Sequence, residues 1–273
     1  MAESFKLKKI SVVIPMYNSS STIIRCLDSV LSQTYQDTSY EVIVVNDGSK
    51  DNSREIVELY IKECNHPNYK IILINQINGG VSKARNIGLQ NSSGEFIAML
   101  DSDDVWNQNK LDIQMRYFTN SKFSIEFIGC ARNNEVLYLR GKKIDCPYKV
   151  SPKDLLLKMF PQTSTAIFRS DVFKKNGGYN PEMSHAEDGE LWLRYCSVCN
   201  FYYIPDSLVI TGDGKPNFGH SGLSADLKKM YQGNIKILDL AREKKIISNL
   251  EYFNFKIYYY LKHLRRIIIT NLR

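Results

Sequence analysis

The sequence predicts an α/β fold: a mostly parallel, twisted sheet flanked by helices and followed by a helical C-terminal extension. Three observations carry this prediction. Short β-branched runs alternate with helix-period stretches through the first hundred residues. The runs are continuously apolar, as in Val42-Ile43-Val44-Val45, which suits strands covered on both faces. From Ser224 onward the chain reads as helical and basic.

The elements follow in order. Ile10 to Ile14 is the first predicted strand. Ile23, Ile24, Leu27, Val30 and Leu31 then recur at helical spacing, with Ser20 and Ser21 as candidate caps. Glu41 to Val45, Lys70 to Ile74 and Glu95 to Leu100 are the next strands, separated by helices over Ser53 to Lys62 and Val81 to Leu89. Beyond Asn107 we expect a helix to Phe118, strands within 123–130 and 164–169, and a helix over 189–196. In such a sheet the crossovers are right-handed and ligands bind beyond the carboxyl ends of the strands. Four polar loops should therefore share one rim: Pro15-Met16-Tyr17-Asn18, Asn46-Asp47-Gly48-Ser49, Asn78-Gly79-Gly80 and Asp101-Ser102-Asp103-Asp104.

A length of 273 residues suits one large domain with an appendage, or at most two domains. With 43% apolar and 24% charged residues and no low-complexity tract, disorder is excluded as the general state. The first nine residues lack an apolar leader, and no segment approaches the roughly 18 apolar residues of a spanning helix, so a cytoplasmic location is expected. Six cysteines in no regular framework suit that compartment. The lone pair Cys196 and Cys199 reads as half-buried thiols more than as a metal or redox site. Residues 224–273 carry 11 Lys and Arg against 4 Asp and Glu, so the whole net charge of +7 lies there. That asymmetry points to a surface-binding tail rather than a uniformly basic nucleic-acid binder. Its apolar positions, from Tyr252, Phe253, Phe255, Ile257, Tyr258 and Tyr259 to Leu261, Leu264, Ile267 and Ile268, interleave with Lys256, Lys262, Arg265 and Arg266. They suit either an anionic membrane surface or a helix packed on the main domain.

Three carboxylates within four residues repel one another, and a divalent cation with oxygen ligands is the simplest compensation. Mn²⁺ or Mg²⁺ held by one or two carboxylates completes its shell with water and phosphate oxygens, which suggests a nucleoside diphosphate. The alternative is a solvated turn in which Asp104 caps the following helix. Asn78-Gly79-Gly80 opens a helix carrying Lys83 and Arg85, so backbone N–H groups and cations could face an anion; a Gly-Gly turn with a solvated basic face is the plainer reading. Asp47 could accept bonds from a base or ribose, or it could form a turn before Gly48, with Asp51 or Asn52 capping the next helix. The G-x-G-x-x-G fingerprint is missing after the first strand, which disfavours a dinucleotide oxidoreductase.

These motifs, taken with Val81-Ser82-Lys83-Ala84-Arg85-Asn86 and Glu187-Asp188-Gly189-Glu190-Leu191-Trp192-Leu193-Arg194, resemble in order and spacing the family 2 glycosyltransferases of the GT-A fold. The resemblance covers about residues 9–223. It implies a GT-A-like catalytic domain over 1–223, with a nucleotide-sugar half at about 9–107 and an acceptor half at about 108–223, and an extension over 224–273. It implies that Pro15, Tyr17, Asn18, Asn78, Gly79 and Lys83 line the nucleotide-sugar pocket, that Asp47 binds the base, usually uracil, and that Arg85 lies beside the nucleotide or its pyrophosphate. Asp101 would contact ribose or metal with Ser102 beside it, Asp103 would be the principal metal ligand, and Asp104 would support them. Asp188 corresponds to the general base, with Glu187 next to it on the sugar-nucleotide side. His220 lies in a loop that in some relatives folds over the donor diphosphate, making it a candidate metal ligand.

The implied activity is inverting transfer of a single sugar from a nucleoside-diphosphate sugar, with UDP the expected nucleotide, to a glycan or lipid-linked acceptor in cell-surface polysaccharide synthesis. The Gln-x-x-Arg-Trp motif of processive members is missing. Residues 252–273 are a candidate for peripheral contact with the inner membrane face, with packing on the domain the alternative, and no nucleic-acid partner is expected. A non-catalytic sugar-nucleotide-binding scaffold and a nucleotidyltransferase are the alternatives. Gly178-Tyr179 and Gln162-Thr163-Ser164-Thr165 are expected to shape the sugar or acceptor pocket, or to pack the core.

Overall fold

The computed structural model describes residues 8–35, 38–120, 122–212 and 223–272. Its first half is β1 (Lys8–Met16), α1 (Ile23–Leu31), β2 (Thr38–Asn46), α2 (Ser53–Glu63), β3 (Tyr69–Asn75), α3 (Val81–Gln90) and β4 (Phe96–Met99). These four strands run parallel in the order β3-β2-β1-β4. Burial explains their apolar sequence: Val12, Ile14, Val42 and Val44 meet one core, Ile43 and Val45 another, and all are fully enclosed. The register sets Met16 beside Asn46 and Asn46 beside Asn75, so the three strands end level and their loops start side by side.

The second half comprises β5 (Val105–Trp106), α4 (Lys110–Thr119), β6 (Phe127–Arg132), β7 (Tyr138–Leu139), β8 (Lys142–Lys143), β9 (Tyr148–Lys149), α5 (Pro152–Leu157), β10 (Ile167–Arg169), α6 (Ser170–Asn176), α7 (Glu187–Cys196) and β11 (Phe201–Ile210). β10 joins β4 to β6 by antiparallel pairing on both sides. β11 lies parallel to β6 and antiparallel to β5 and β9. The sheet is thus parallel throughout its first half and mixed beyond β4. α7 is anchored by buried aromatics: Trp192 meets Phe127 edge-on at 4.8 Å and Tyr195 meets Phe168 at 5.5 Å between ring centroids. Fully burying one such ring contributes about 1.5–3 kcal/mol, so the helix carrying Asp188 rests on a firm base.

Several elements depart from the sequence reading. β11 was not expected, because Pro205 interrupts its pattern; its pairing with β6 shifts between Ile204 and Ser207, where proline offers no N–H to the ladder. The helix expected from Asn107 starts at Lys110, since Val105 and Trp106 pair with β11. Residues 163–165 form a 3₁₀ turn and the strand there is only Ile167–Arg169. Ser20 and Ser21 do not cap α1: Thr22 holds that position, and the Ser19 carbonyl accepts from Ile23 N–H. Asp51 receives Ser53 N–H on one oxygen and Ser20 N–H on the other, while Asn52 stands at the cap of α2 without a side-chain bond.

The extension is a helical hairpin, α8 (Leu227–Glu243) and α9 (Asn249–Asn271). The helices are antiparallel: Tyr231 stacks on His263, while Tyr252 donates to Asp239 at 2.6 Å. Ile237, Leu238 and Ala241 of α8 are fully buried with Leu156, Leu193 and Tyr259. α9 lays Tyr252, Phe255 and Tyr259 on that cluster and leaves Phe253, Ile257, Tyr260, Leu261 and Ile268 exposed. One face of the tail therefore packs on the domain. Among the described residues no helix is long and apolar enough to cross a membrane. Cys196 and Cys199 are free thiols, and burial pushes Cys196 up to about 12, as suits packing rather than redox chemistry.

Candidate active site

The four rim loops are tied to one another by short polar bonds. Asn18, held in the left-handed region at φ 49°, accepts Lys50 N–H at 2.8 Å on its Oδ1, and its own N–H donates to Ser49 Oγ at 3.0 Å. Ser19 donates its N–H to Ser53 Oγ and shares a 2.7 Å bond with Ser102 Oγ. Asp47, 4% exposed, accepts Gly79 N–H at 2.7 Å, Gly80 N–H at 2.9 Å and Gln76 Nε2 at 2.5 Å. The carboxylate thus shapes the Gly-Gly turn and retains about one acceptor position for a ligand. Gly80 begins α3 at φ 88°, a conformation that favours glycine. Gly48 is equally constrained, since a Cβ there would lie 2.8 Å from Asn78 N. Tyr17, Asn78, Gly79 and Lys83 are exposed on this rim, while Pro15 is buried within β1.

The carboxylates after β4 differ sharply in surroundings. Asp103 is exposed. Asp101 is partly buried; its N–H donates to Ser164 Oγ at 2.9 Å. Asp104 is 3% exposed, accepting Ser164 Oγ at 2.5 Å, Gln162 Nε2 at 3.1 Å and Gly212 N–H at 3.2 Å. Burial and the neighbouring Asp101 push the Asp104 carboxyl up to about 8, against the pull of Ser164. The solvated helix cap considered for Asp104 is thereby excluded. Gln162 and Ser164, expected to shape the sugar or acceptor pocket or pack the core, bond Asp101 and Asp104, with Ser164 fully buried.

α3 clasps the second half of the chain. Ser82 donates to Met183 O, Asn86 exchanges two bonds with the backbone of Tyr179, and Arg85 bridges two carboxylates. Arg85 Nη2 reaches Asp101 Oδ1 at 2.8 Å and Nη1 reaches Glu187 Oε1 at 2.7 Å, with the guanidinium 5.1 Å from the Tyr179 ring centre. Its side chain is 6% exposed, so direct contact with a diphosphate would require one pair to open. Tyr179 itself is 2% exposed and belongs to the core. Burial acts against the charge of Arg85, and the two carboxylates more than offset it, raising its pKa well above the ordinary value.

Glu187 and Asp188 form the first turn of α7, preceded by Ala186 in the left-handed conformation at φ 58°, a strained setting for alanine costing about 1–2 kcal/mol. Asp188 is half-buried and accepts Gly189 N–H at 2.7 Å. Burial and the adjacent Glu187 push its carboxyl up to about 6, while Arg85 and Gly189 N–H pull it down. A carboxylate so tuned is still ionised at neutral pH and is a stronger base than an ordinary one. Glu190, 7% exposed, pairs with Arg194 within α7.

For a cation, Asp101 and Asp103 offer carboxylate oxygens at the strand end, the donor type that Mg²⁺ and Mn²⁺ accept. Among the described residues Asp101 Oδ2 has only a long 3.4 Å contact from Gln162, so it can serve. Among the described residues no cluster of three or more His, Cys, Asp or Glu stands together as a metal cage, and these ions need only two carboxylates with phosphate and water oxygens. His220 and most of its loop lie outside the described residues. The contributions of Ser19 and Gln76 had no sequence signal beyond proximity to the motifs, and nothing in the sequence paired Gln162 and Ser164 with Asp101 and Asp104.

A family model described as "Glycosyl transferase family 2" matches residues 11–177, a stretch that holds all four rim loops and ends before Glu187. An uncharacterized glycosyltransferase of Rickettsia prowazekii is 28% identical over 209 residues, covering 73% of this chain and 62% of that protein. The poly(ribitol-phosphate) beta-N-acetylglucosaminyltransferase TarS of Staphylococcus aureus is 32% identical over 186 residues, 67% of this chain and 31% of TarS. The chain thus spans less than two thirds of either relative. Among solved structures, TarS 1-349 in complex with UDP-GlcNAc matches with a TM-score of 0.70 at 21% identity, over 94% of this chain and 73% of that one. The mannosyltransferase PcManGT of Pyrobaculum calidifontis, in complex with GDP-Man and Mn²⁺, matches with 0.66 at 18% identity, over 86% and 64%. Both likenesses are of fold.

Removing the buried cation leaves Asp101 and Glu187 facing each other uncompensated. Arg85→Met is expected to cost about 3–5 kcal/mol in a denaturant titration. Adding Glu187→Gln and Asp101→Asn to Arg85→Met should recover part of that loss; no recovery would contradict the pairing.

Proposed function

The chain belongs to glycosyl transferase family 2, and from that premise we propose that it moves a single sugar, with inversion, from a nucleoside-diphosphate sugar to a glycan or lipid-linked acceptor. The observation that carries this reading is the run of contacts from Asp101 through Arg85 to Glu187, the residue before Asp188. It joins a carboxylate suited to the donor diphosphate with one suited to the acceptor. In this reading residues 9–107 form the nucleotide-sugar half, 108–223 the acceptor half and 224–273 an extension.

Asp188 accepts the proton of the acceptor hydroxyl as that oxygen attacks the anomeric carbon. The new C–O bond forms on the face opposite the departing diphosphate, whose C–O bond breaks with its electron pair, and the configuration inverts. Asp101 and Asp103 would hold Mn²⁺ or Mg²⁺, which supplies positive charge for the developing diphosphate anion. Asp47 and the exposed Tyr17, Asn18, Asn78, Gly79 and Lys83 receive the nucleotide, with Pro15 and Ser102 shaping the loops beneath it. Glu187 acts by holding Arg85. TarS, a relative solved with UDP and with UDP-GlcNAc, supports UDP as the nucleotide, and its name, with poly(ribitol-phosphate) as acceptor, supports a polymeric acceptor.

The exposed face of α9 supports peripheral attachment to an anionic membrane surface on the cytoplasmic side. Phe253, Ile257 and Leu261 share that face with the exposed Lys256 and Arg265, and the extension holds the whole net charge.

Three outcomes test these readings. The base must be ionised to accept a proton, so release of nucleoside diphosphate in the presence of Mn²⁺ and acceptor should be retained above about pH 6 and fall below it. Asp188→Asn should lower turnover by about 10²- to 10⁴-fold; an unchanged rate removes the assignment. For α9, replacing Phe253, Ile257 and Leu261 together by Ser should weaken binding to vesicles containing anionic lipid by about tenfold or more. Equal binding by the parent and variant would argue against attachment through this face.

A further inference from the structure

The turn that presents Asp188 is held from behind by the C-terminal extension. Ala186, two residues before Asp188, sits in the left-handed region at φ 58° and ψ 26°. Such a conformation persists in a residue with a Cβ only where its surroundings over-determine it. The surroundings here are α8. Gly233 passes so close to the turn that a Cβ at this position would lie 2.4 Å from the His185 carbonyl oxygen and 3.1 Å from Ala186 Cβ. The first of these neighbours is backbone and cannot rotate away.

The contact is reciprocal. Gly189 follows Asp188 and donates its N–H to the Asp188 carboxylate at 2.7 Å. A Cβ on Gly189 would lie 2.8 Å from Ile237 Cδ1 and 2.7 Å from Met159 Cε. Gly233 and Ile237 are four residues apart and so share one face of α8. Each helix thus lacks a side chain where the other approaches, and the two approaches bracket Asp188 in sequence.

We propose that this interlock of Gly233 and Ile237 on α8 with Ala186 and Gly189 on the α7 turn is what aims the Asp188 carboxylate, making Gly233, Gly189 and Ile237 positioning residues. The inference rests on the reading of Asp188 as the base. It makes the extension part of the transfer machinery, although the family match ends at residue 177 and the rim loops make no use of α8 in their mutual bonds.

The test uses the full chain, comparing Gly233→Ala, Ile237→Val, Lys228→Ala and Asp188→Asn. The readouts are kcat, donor KM, affinity for the nucleoside diphosphate with Mn²⁺, and the thermal unfolding midpoint. A base displaced by a fraction of an ångström slows chemistry without touching the donor pocket, so Gly233→Ala should lose about tenfold or more in kcat while nucleotide affinity stays within about twofold. Ile237→Val, which removes only the Cδ1 resting on Gly189, should lose kcat several-fold and remain folded. Lys228→Ala, on the exposed side of α8, should match the parent. The inference is overturned if folded Gly233→Ala keeps the parental kcat, or if its kcat and nucleotide affinity fall together. Should Gly233→Ala not fold, parental kcat in Ile237→Val overturns it instead. An inactive Asp188→Asn beside a fully active Gly233→Ala would remove this inference and leave the base in place; a fully active Asp188→Asn would remove the base itself.

Discussion

The site depends on one buried cation, the Arg85 guanidinium shared by Asp101 and Glu187. Neither carboxylate is well solvated, and a lone buried ion is costly, so the three groups stabilise one another only when all are in place. That requirement propagates outward. α3 must begin at a fixed point to deliver Arg85, and Asp47 with the left-handed Gly80 sets that point. The first turn of α7 must meet Arg85, and the aromatic cluster around Trp192 holds the rest of that helix. Asp188 follows Glu187 in that turn, with Gly233 and Ile237 of α8 packed behind it.

The remainder of the rim is built on the same economy of short polar links. Ser19 joins Ser53 and Ser102, Asn18 joins Ser49 and Lys50, and Ser164 spans Asp101 and Asp104. Loops with little apolar surface have few other means of holding shape, and a fully connected network rigidifies them. The network also separates the carboxylates by environment. Asp104 is buried and pushed up to about 8, Asp103 is exposed, and Asp188 is half-buried and pushed up to about 6. Identical functional groups thereby acquire different chemistry.

Much of the sheet was legible because its strands are enclosed on both faces, where an apolar run has few other meanings, and level strand ends follow from register alone. The convergence of four polar loops could be read on that basis. β11 could not, since Pro205 breaks its pattern and pairing with β6 and β5 carries the strand past the break. Arg85 was legible as a cation facing the nucleotide or its pyrophosphate but not as a buried bridge, because its partner Glu187 lies 102 residues on and burial depends on what packs across α3. Ala186 carries no signal of a left-handed turn. The turn lies against Gly233 of α8, a tertiary approach that no local pattern reveals.

The proposed function divides the labour across Arg85, with Asp101 and Asp103 serving the donor diphosphate and Asp188 the acceptor hydroxyl. Calorimetric titration of a nucleoside diphosphate with Mn²⁺ into two variants tests it most directly. Asp103→Asn is expected to abolish cation-dependent binding, while Asp188→Asn binds as the parent does. Equal loss in both variants, or binding that survives Asp103→Asn, would contradict it.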